Sequence, residues 1–203
     1  IAFDALVPAL VRDHAALPAR DAQRARLAGP VALLRDWDRR SGEASQATTL
    51  AVLWGEALAS LARSDEEAEG APMLTYLERG ARPAMRLAAL DSAVAQLTRD
   101  FGGWQVPWGE VNRFQRVTGA IVQPFADSMP SIPVGFTSSR WGSLASFQAR
   151  RYPGTKRMYG TSGNSFVAVV EFGKQVRARA VTAGGLSDSP ASKHFNDQAK
   201  RYA

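Results

Sequence analysis

The sequence predicts an α+β protein in which a helical N-terminal half packs on antiparallel strands. Apolar residues recur at helical spacing through the first half, whereas glycine, proline and aromatic residues become frequent from Trp104 onward. Two runs rich in β-forming residues follow near the C-terminus, joined by a short link that contains glycine. These observations predict a helical layer (residues 1–103), an irregular aromatic and proline-rich segment with short strands (104–158), and a β-hairpin with a C-terminal segment (159–203). Together they form one incomplete domain.

The composition is that of a globular protein and excludes several kinds of chemistry. Hydrophobic residues make up 45% of the 203 residues, and no apolar run approaches the roughly 20 residues that span a bilayer. The absence of cysteine excludes disulfides, thiolate catalysis and cysteine-ligated zinc. The formal net charge is +6, but the basic residues are scattered, as on solvated helix faces. We therefore expect neither nucleic acid nor membrane as a partner. A non-catalytic module that binds an anionic polymer is the alternative.

The first helices follow from apolar spacing and from helix-ending residues. A first helix has its apolar stripe from Phe3 to His14 and ends before Pro18. Asp21 can cap a second helix that runs through Leu27. Gly29 and Pro30 then interrupt the chain, and Pro30 suits the first position of another helix, which Ser41 and Gly42 end.

The strongest helical periodicity comes next. Ser45 can cap a helix whose apolar positions repeat at helical spacing: Leu50, Leu53, Trp54, Ala57, Leu58 and Leu61. An acidic segment (residues 65–70) is predicted as a solvated connection, and Pro72 opens a brief helix that extends to Arg79. A longer helix runs from about Pro83 to Asp100 and stops at the Gly102-Gly103 pair.

Residues 104–158 are predicted as ordered coil with short strands. Five prolines forbid long helices there: Pro107, Pro124, Pro130, Pro133 and Pro153. A disordered linker is the alternative, but the segment is too rich in aromatic residues for that: Trp104, Trp108, Phe114, Phe125, Phe136, Trp141 and Phe147.

The two β-rich runs predict an antiparallel hairpin. Residues 166–172 are apolar almost throughout, which favours a central strand with both faces covered. Residues 176–182 alternate small or apolar side chains with arginine, so one face reaches water or acidic neighbours. Glu171 is costly near the end of an apolar strand unless it is paired or solvated, and Arg177 or Arg179 across the hairpin can pair with it.

Few residues are candidates for chemistry. The glycine-rich stretch before the hairpin, which contains Ser162, Gly163, Asn164 and Ser165, is either a turn that enters a strand or part of a pocket wall. It leads into a strand and has no P-loop ending. His14 lies on an apolar stripe and is predicted to be packed, and a triad of Ser192, His194 and Asp197 is implausible between near neighbours. No metal-ligand spacing occurs.

Three motifs resemble the penicillin acylase family. They are Trp108-Gly109-Glu110-Val111-Asn112-Arg113, then Gly160-Thr161-Ser162-Gly163-Asn164-Ser165 with the following strand to Phe172, and Ser189-Pro190-Ala191-Ser192-Lys193-His194-Phe195-Asn196-Asp197-Gln198. They cover about the last hundred residues in order. The sequence is most similar to the branch that contains cephalosporin acylases, acyl-homoserine lactone acylases and aculeacin-type acylases.

The resemblance implies an N-terminal-nucleophile (Ntn) hydrolase. Such enzymes cut themselves from one precursor into α and β chains, fold as an αββα sandwich and are usually exported to the periplasm or secreted. A Ser, Thr or Cys at the new β terminus attacks the amide, with its own α-amine as base. Ile1 has no hydroxyl or thiol, so we expect this chain to be the C-terminal part of a β subunit and inactive alone. The expected partners are the remainder of the β chain, the α chain and a small-molecule amide.

The resemblance transfers few site residues to this chain. Glu171 is expected to orient the catalytic centre, whereas the family's catalytic Asn and His roles are not transferred to Asn112, Asn164 or His194. No cofactor is expected, and the ligands of a family calcium site are not in these motifs. Candidate substrates are a β-lactam side chain, an acyl-homoserine lactone and a lipopeptide. A family member that keeps the fold without activity is a further alternative.

Overall fold

The computed structural model describes residues 2–64 and 72–203 and confirms the α+β class. The chain forms two compact units. We call the first the helical unit (Ile1–Arg40, Ser45–Pro107 and Arg140–Gly142) and the second the strand unit (Ser41–Ala44, Trp108–Ser139 and Ser143–Ala203). The acidic connection predicted at residues 65–70 lies outside the described residues, and the predicted division at residues 103 and 158 stays a prediction.

The long helices begin and end largely where capping residues predict. The helical unit contains α1 (Ala2–Ala16), α2 (Ala22–Arg35), α3 (Gln46–Ala62), α4 (Met73–Thr75) and α5 (Pro83–Phe101). Asp21 accepts a hydrogen bond from the Gln23 N–H, and Ser45 accepts one from the Thr48 N–H. Gly102 ends α5 with φ of 82°, a backbone conformation that favours glycine.

Two helix boundaries differ from the sequence prediction. Pro30 lies inside α2 instead of starting a new helix, and that helix ends at Arg35, before Ser41 and Gly42. Pro30 is buried together with Leu27, Val31 and Leu34 on one face, so burial offsets the backbone hydrogen bond that proline removes. The brief helix predicted after Pro72 is α4 followed by a π-helical turn, Tyr76–Gly80.

The core of the helical unit forms around α3, which packs against α5. Trp54 is fully buried, and its indole Nε1–H donates to the Arg86 carbonyl at 3.0 Å. Arg86 in turn forms an ion pair with Asp13 at 2.6 Å. Trp141 lies over Gly55, where any larger residue would collide with the indole ring, and stacks on Phe3 at 5.1 Å. The helical unit is thus held by aromatic packing around one buried ion pair.

The strand unit contains a four-stranded mixed sheet. Its order is β2 (Ile132–Pro133), β1 (Asn112–Phe114), β4 (Met158–Gly163), β3 (Phe147–Arg151). The β1–β4 pair is parallel and the other two pairs are antiparallel. Short helices α6 (Trp108–Val111) and α7 (Ala199–Tyr202) flank it in sequence, and a 3-10 turn covers Ser139–Trp141. The prediction of short strands within residues 104–158 is confirmed.

The predicted hairpin is confirmed, but its surroundings differ from the expectation. Among residues 2–64 and 72–203, strands β5 (Phe166–Glu171) and β6 (Arg177–Thr182) pair only with each other, in antiparallel register. The expected central strand with both faces covered is therefore wrong for this chain: the side chains of β5 are largely exposed, with Val169 at 71% and Phe166 at 60%. Only Val167 and Val181, at the base of the hairpin, pack against the core cluster of Val134, Phe147 and Tyr202.

Candidate functional site

A pocket of about 440 Å³ opens in the strand unit beside the end of β4. Four aromatic side chains line it, Phe114, Phe125, Phe147 and Tyr202, together with the apolar residues Ala120, Ile121 and Ala183. Its rim includes the predicted residues Ser162, Gly163, Asn164 and Ser165. The pocket therefore combines an aromatic floor with a rim of hydroxyl and amide groups.

The aromatic floor is fixed from behind by close packing. The Phe147 ring lies directly against Gly160, where a Cβ would overlap it, so glycine at this position lets the ring reach the floor. Phe125 stacks on Tyr159 with ring centroids 5.2 Å apart and contacts Tyr152 at 4.5 Å. These contacts hold the floor in one arrangement, as a preformed binding site requires.

Tyr159 is in turn fixed by Asp127. The fully buried Tyr159 donates its hydroxyl to Asp127 Oδ1 at 2.8 Å, and the backbone N–H of Lys156 donates to Oδ2 at 2.7 Å. Burial, together with the hydrogen bond to Asp127 and its negative charge, raises the pKa of Tyr159 to about 12. Burial alone would raise the pKa of Asp127, but hydrogen bonds from Lys156, Tyr159 and Arg157 lower it below its ordinary value. The pair stays a neutral phenol and a carboxylate at neutral pH.

The rim residues lie at the end of one strand and in the bend that follows it. Residues 160–163 belong to β4, and Asn164 and Ser165 connect β4 to β5, so the stretch both enters a strand and lines the pocket. Gly163 has φ of 150°, and Asn164 Oδ1 accepts the Ser146 N–H at 2.7 Å. The hydroxyls of Ser162 and Ser165 make no hydrogen bond with any residue in the described ranges. They are free to bind a ligand, and their binding role stays a prediction.

Among the described residues that line the pocket, Arg116 is the one with a positive charge. Its guanidinium donates to the Phe195 carbonyl at 2.6 Å and to the Ser187 carbonyl at 2.8 Å, and it lies 4.3 Å from the Phe195 ring centroid. Asn196 donates back to the Arg116 carbonyl at 2.9 Å. Arg116 therefore holds the C-terminal loop in place, and these contacts engage both of its terminal nitrogens. The pocket chemistry fits an uncharged ligand with an apolar part.

Glu171 does not line this pocket. It lies exposed at the end of β5 with its Cα in register with that of Arg177, but within the described residues it forms no ion pair with Arg177 or Arg179, so the predicted pairing is wrong. Solvent exposure removes the cost that a buried carboxylate would have. The orienting role expected for Glu171 stays a prediction.

The two histidines have separate structural contacts. His14 Nε2 lies 2.8 Å from the Arg24 carbonyl. His194 Nδ1 lies 2.8 Å from Asp197 Oδ2, because a turn brings the two residues together. The Ser192 hydroxyl accepts the His194 backbone N–H instead of contacting the imidazole, and no triad forms.

The Trp108–Arg113 motif has a structural explanation. The indole Nε1–H of Trp108 donates to the Phe136 carbonyl at 2.9 Å. The side-chain amide of the fully buried Asn112 donates to the carbonyls of Val134 and Phe136. Arg113 donates to the carbonyls of Ser131 and Gly109. The motif thus fastens β1 to residues 131–136 and does not contribute to the pocket lining.

Sequence reasoning missed several residues that build the site. Asp127, Arg116 and Gln115 act through partners distant in sequence; the Gln115 amide, for example, bonds Ala126 through both its oxygen and its nitrogen. No local pattern marks such residues. The sequence shows that residues 104–158 are rich in aromatic residues, but it does not show which of them come together in one pocket.

Residues 2–64 and 72–203 contain neither a cluster of potential metal ligands nor a membrane-spanning helix. No three His, Asp or Glu side chains gather there as they would around a metal ion. No helix in the same ranges is long and apolar enough to cross a membrane.

The fold is α+β, and the strand unit contains a pocket lined by aromatic side chains and by hydroxyl and amide groups. The family model described as Penicillin amidase matches residues 2–203. The chain therefore belongs to the penicillin amidase family, and this family membership implies an acylase-type amidohydrolase. The comparison with curated proteins found no match.

Proposed function

We propose that this chain is the C-terminal part of the β subunit of a self-processing acylase, and that the pocket beside β4 binds part of its amide substrate. The family match over residues 2–203 is the observation that carries the proposal. The pocket supports it, because an aromatic floor with a hydroxyl and amide rim fits a neutral molecule that has an apolar acyl group and a polar amide.

The nucleophile in this proposal comes from polypeptide outside this chain. Among the described residues that line the pocket, no imidazole, carboxylate or lysine amine stands beside Ser162 or Ser165, so neither hydroxyl has a base to activate it. An N-terminal hydroxyl or thiol would attack the carbonyl carbon while its own α-amine takes the proton. The leaving amine departs with that proton, and water then hydrolyses the acyl-enzyme to the acid.

The residues of this chain would bind and orient the substrate. The side-chain amide of Asn164 and the free hydroxyls of Ser162 and Ser165 can donate hydrogen bonds to a substrate carbonyl. Phe125 and Phe147 would pack on the apolar acyl part and exclude water from it. Glu171 would orient the catalytic centre once the missing polypeptide covers β5.

The candidate substrates follow from the resemblance to the penicillin acylase family. A β-lactam side chain, an acyl-homoserine lactone and a lipopeptide all present an apolar acyl group on a neutral amide, which is the chemistry that the pocket fits. We propose a periplasmic or secreted location and autocatalytic processing on the same basis.

Intact mass and N-terminal sequencing of every polypeptide in one preparation, followed by an amide hydrolysis assay, test the proposal. We expect a companion chain that begins with Ser, Thr or Cys, hydrolysis of neutral acyl anilides by the assembled protein, and none by the 203-residue chain alone. Equal hydrolysis by the isolated chain would place the nucleophile inside it and contradict the proposal. An assembled preparation without any hydrolysis would favour an inactive scaffold or a binding module instead.

A further inference from the structure

The β5–β6 hairpin has two chemically different faces. One face is apolar, with Phe166, Ala168 and Val170 from β5 opposite Thr182, Ala180 and Ala178 from β6. The other face carries Val167, Val169 and Glu171 opposite Val181, Arg179 and Arg177. Every one of these residues except Val167, Val181 and Thr182 is exposed. The hairpin is therefore amphipathic, although no other strand of the described chain covers it.

The backbone of the β6 edge is open along part of its length. The Ala183 N–H donates to the Ser165 carbonyl at 2.9 Å. In an antiparallel pair, successive residues of one strand direct their N–H and C=O groups alternately toward and away from the partner strand. The backbone groups of Ala178, Ala180 and Thr182 therefore point away from β5. The Thr182 N–H is already bonded to Gln198 Oε1 at 2.9 Å. A further strand can thus pair beside Ala178 and Ala180 but not beyond them, which limits it to about five residues.

Positive charge distinguishes the β6 edge of the hairpin from the β5 edge. Arg177 is opposite Glu171 in the register, whereas Arg179 is opposite Val169. Neither arginine forms an ion pair with a carboxylate of residues 2–64 or 72–203. On the same face, the β5 edge offers Val167, Val169 and Glu171 and no positive charge. A neighbouring strand with carboxylates at alternate positions is complementary only to the β6 edge.

The same arginines disfavour a second copy of this chain. Two β6 edges paired about a two-fold axis would place arginines of one copy against those of the other, and like charges on adjacent strands are destabilising. The two arginines therefore favour an acidic strand over a second copy of this chain as the neighbour of the β6 edge.

We propose that the β6 edge accepts an acidic, amphipathic strand of about five residues from another polypeptide, with its carboxylates beside Arg177 and Arg179 and its apolar side chains beside Ala178 and Ala180. This inference rests on the proposed function, in which further polypeptide completes the sheet, and it specifies the chemistry of the segment that does so.

Fluorescence anisotropy with labelled heptapeptides tests the inference on the 203-residue chain. One peptide alternates valine with glutamate, a second alternates valine with lysine, and a third has the composition of the first with its glutamates adjacent, so that the alternation is lost. We expect the alternating glutamate peptide to bind about tenfold more tightly than either of the others, and its affinity to fall as salt is added. Equal binding of the peptides, or no binding by any of them, would overturn the inference.

Charge-reversed variants locate the binding edge. Arg177→Glu combined with Arg179→Glu is expected to invert the preference, so that the lysine peptide binds more tightly than the glutamate peptide. Lys174→Glu in the hairpin turn is the matched control, which alters charge near the strand without altering the pairing face. The altered side chains are exposed, and circular dichroism checks that each variant is folded. An unchanged preference in the double variant would overturn the inference.

The outcomes separate this inference from the proposed function. If an assembled preparation hydrolyses the amide but the isolated chain shows no peptide preference, the acidic-strand inference is wrong and the proposed acylase function is supported. If the peptide preference depends on Arg177 and Arg179 but the assembled preparation hydrolyses no amide, the acidic-strand inference is supported and the proposed acylase function is wrong. Sedimentation of the isolated chain as a dimer that the glutamate peptide does not dissociate would assign the edge to a second copy.

Discussion

At the scale of single residues, two glycines decide where aromatic rings can lie. Gly55 lets the Trp141 indole lie on α3, and Gly160 lets the Phe147 ring enter the pocket floor. In both places a Cβ would overlap the ring, and a packed interior cannot absorb such an overlap without moving backbone or side chains. The pocket floor thus depends on glycine at position 160, because only glycine leaves room for the Phe147 ring.

Tyr159 gives a residue-scale prediction about pH. Its pKa is raised from 10.0 to about 12 in the folded protein, so its stabilising contribution is complete below pH 10 and is lost as the pH rises toward 12. Tyr159→Phe is expected to lack this alkaline loss. At neutral pH the variant is expected to be less stable by about 1.5–3 kcal/mol, because Asp127 loses a hydrogen bond to its charged form. Urea unfolding at several pH values measures both effects.

Tyr152→Phe is the matched control for Tyr159→Phe. Tyr152 also contacts Phe125, but its hydroxyl makes no hydrogen bond with the described part of the chain. It should therefore keep the alkaline profile of the unmodified protein. If Tyr159→Phe and Tyr152→Phe gave the same dependence on pH, ionisation of the buried Tyr159 would not be the cause of the alkaline loss.

At the scale of elements, burial of Pro30 overrides the tendency of proline to end a helix in α2, whereas in α3 the local signals and the packing agree. Pro30 would normally interrupt a helix, yet it lies in the buried face of α2 together with Leu27, Val31 and Leu34. In α3, the cap at Ser45 and the apolar periodicity agree, and the helix begins where the cap predicts. The elements that sequence patterns predicted well are those in which local and tertiary preferences coincide.

The cap of α3 gives a prediction at the element scale. Ser45→Ala removes the acceptor of the Thr48 N–H, a hydrogen bond of 3.1 Å, and is expected to lower the free energy of unfolding by about 1 kcal/mol. Urea denaturation measures the change as a lower midpoint with the same slope. Ser60→Ala, at an exposed position of the same helix, is the control and should change stability by less than about 0.5 kcal/mol. Equal effects of the two substitutions would show that the cap is not responsible.

At the scale of the whole molecule, stability is unevenly distributed. The helical unit buries large side chains such as Trp54, Leu50 and Leu90, whereas β5 and β6 form a two-stranded sheet whose side chains are mostly exposed. Isolated two-stranded hairpins are only marginally stable in water. We therefore expect the hairpin to be less stable than the helices of the helical unit.

Hydrogen exchange tests this distribution. In the isolated chain, the amides of β5 and β6 are expected to exchange rapidly, while those in the middle of α3 and α5 exchange close to the rate set by global unfolding. If the chain assembles with the companion polypeptide that we propose, exchange in the hairpin should be slower in that assembly and unchanged in the middle of α3. Protection of the hairpin equal to that of α3 in the isolated chain would contradict the prediction.

Much of the fold was predictable because its signals are local. The caps at Asp21 and Ser45, the Gly102 stop and the hairpin between β5 and β6 each depend on residues close together in sequence. The candidate site was predictable only in its rim. Ser162 to Ser165 are contiguous, whereas the floor joins residues from Phe114 to Tyr202. Nothing in a single sequence specifies such convergence.

The sequence by itself determined the α+β class, the antiparallel hairpin and the resemblance that the family match later supported. These depend on periodicity, capping chemistry and contiguous motifs, which act over a few residues. The tertiary structure alone decided that Pro30 continues a helix, that β5 is exposed in this chain, and that Tyr159 and Asp127 together hold the wall behind the pocket. Burial and hydrogen bonding between residues distant in sequence appear only when the chain folds, because packing brings those groups together and removes them from water.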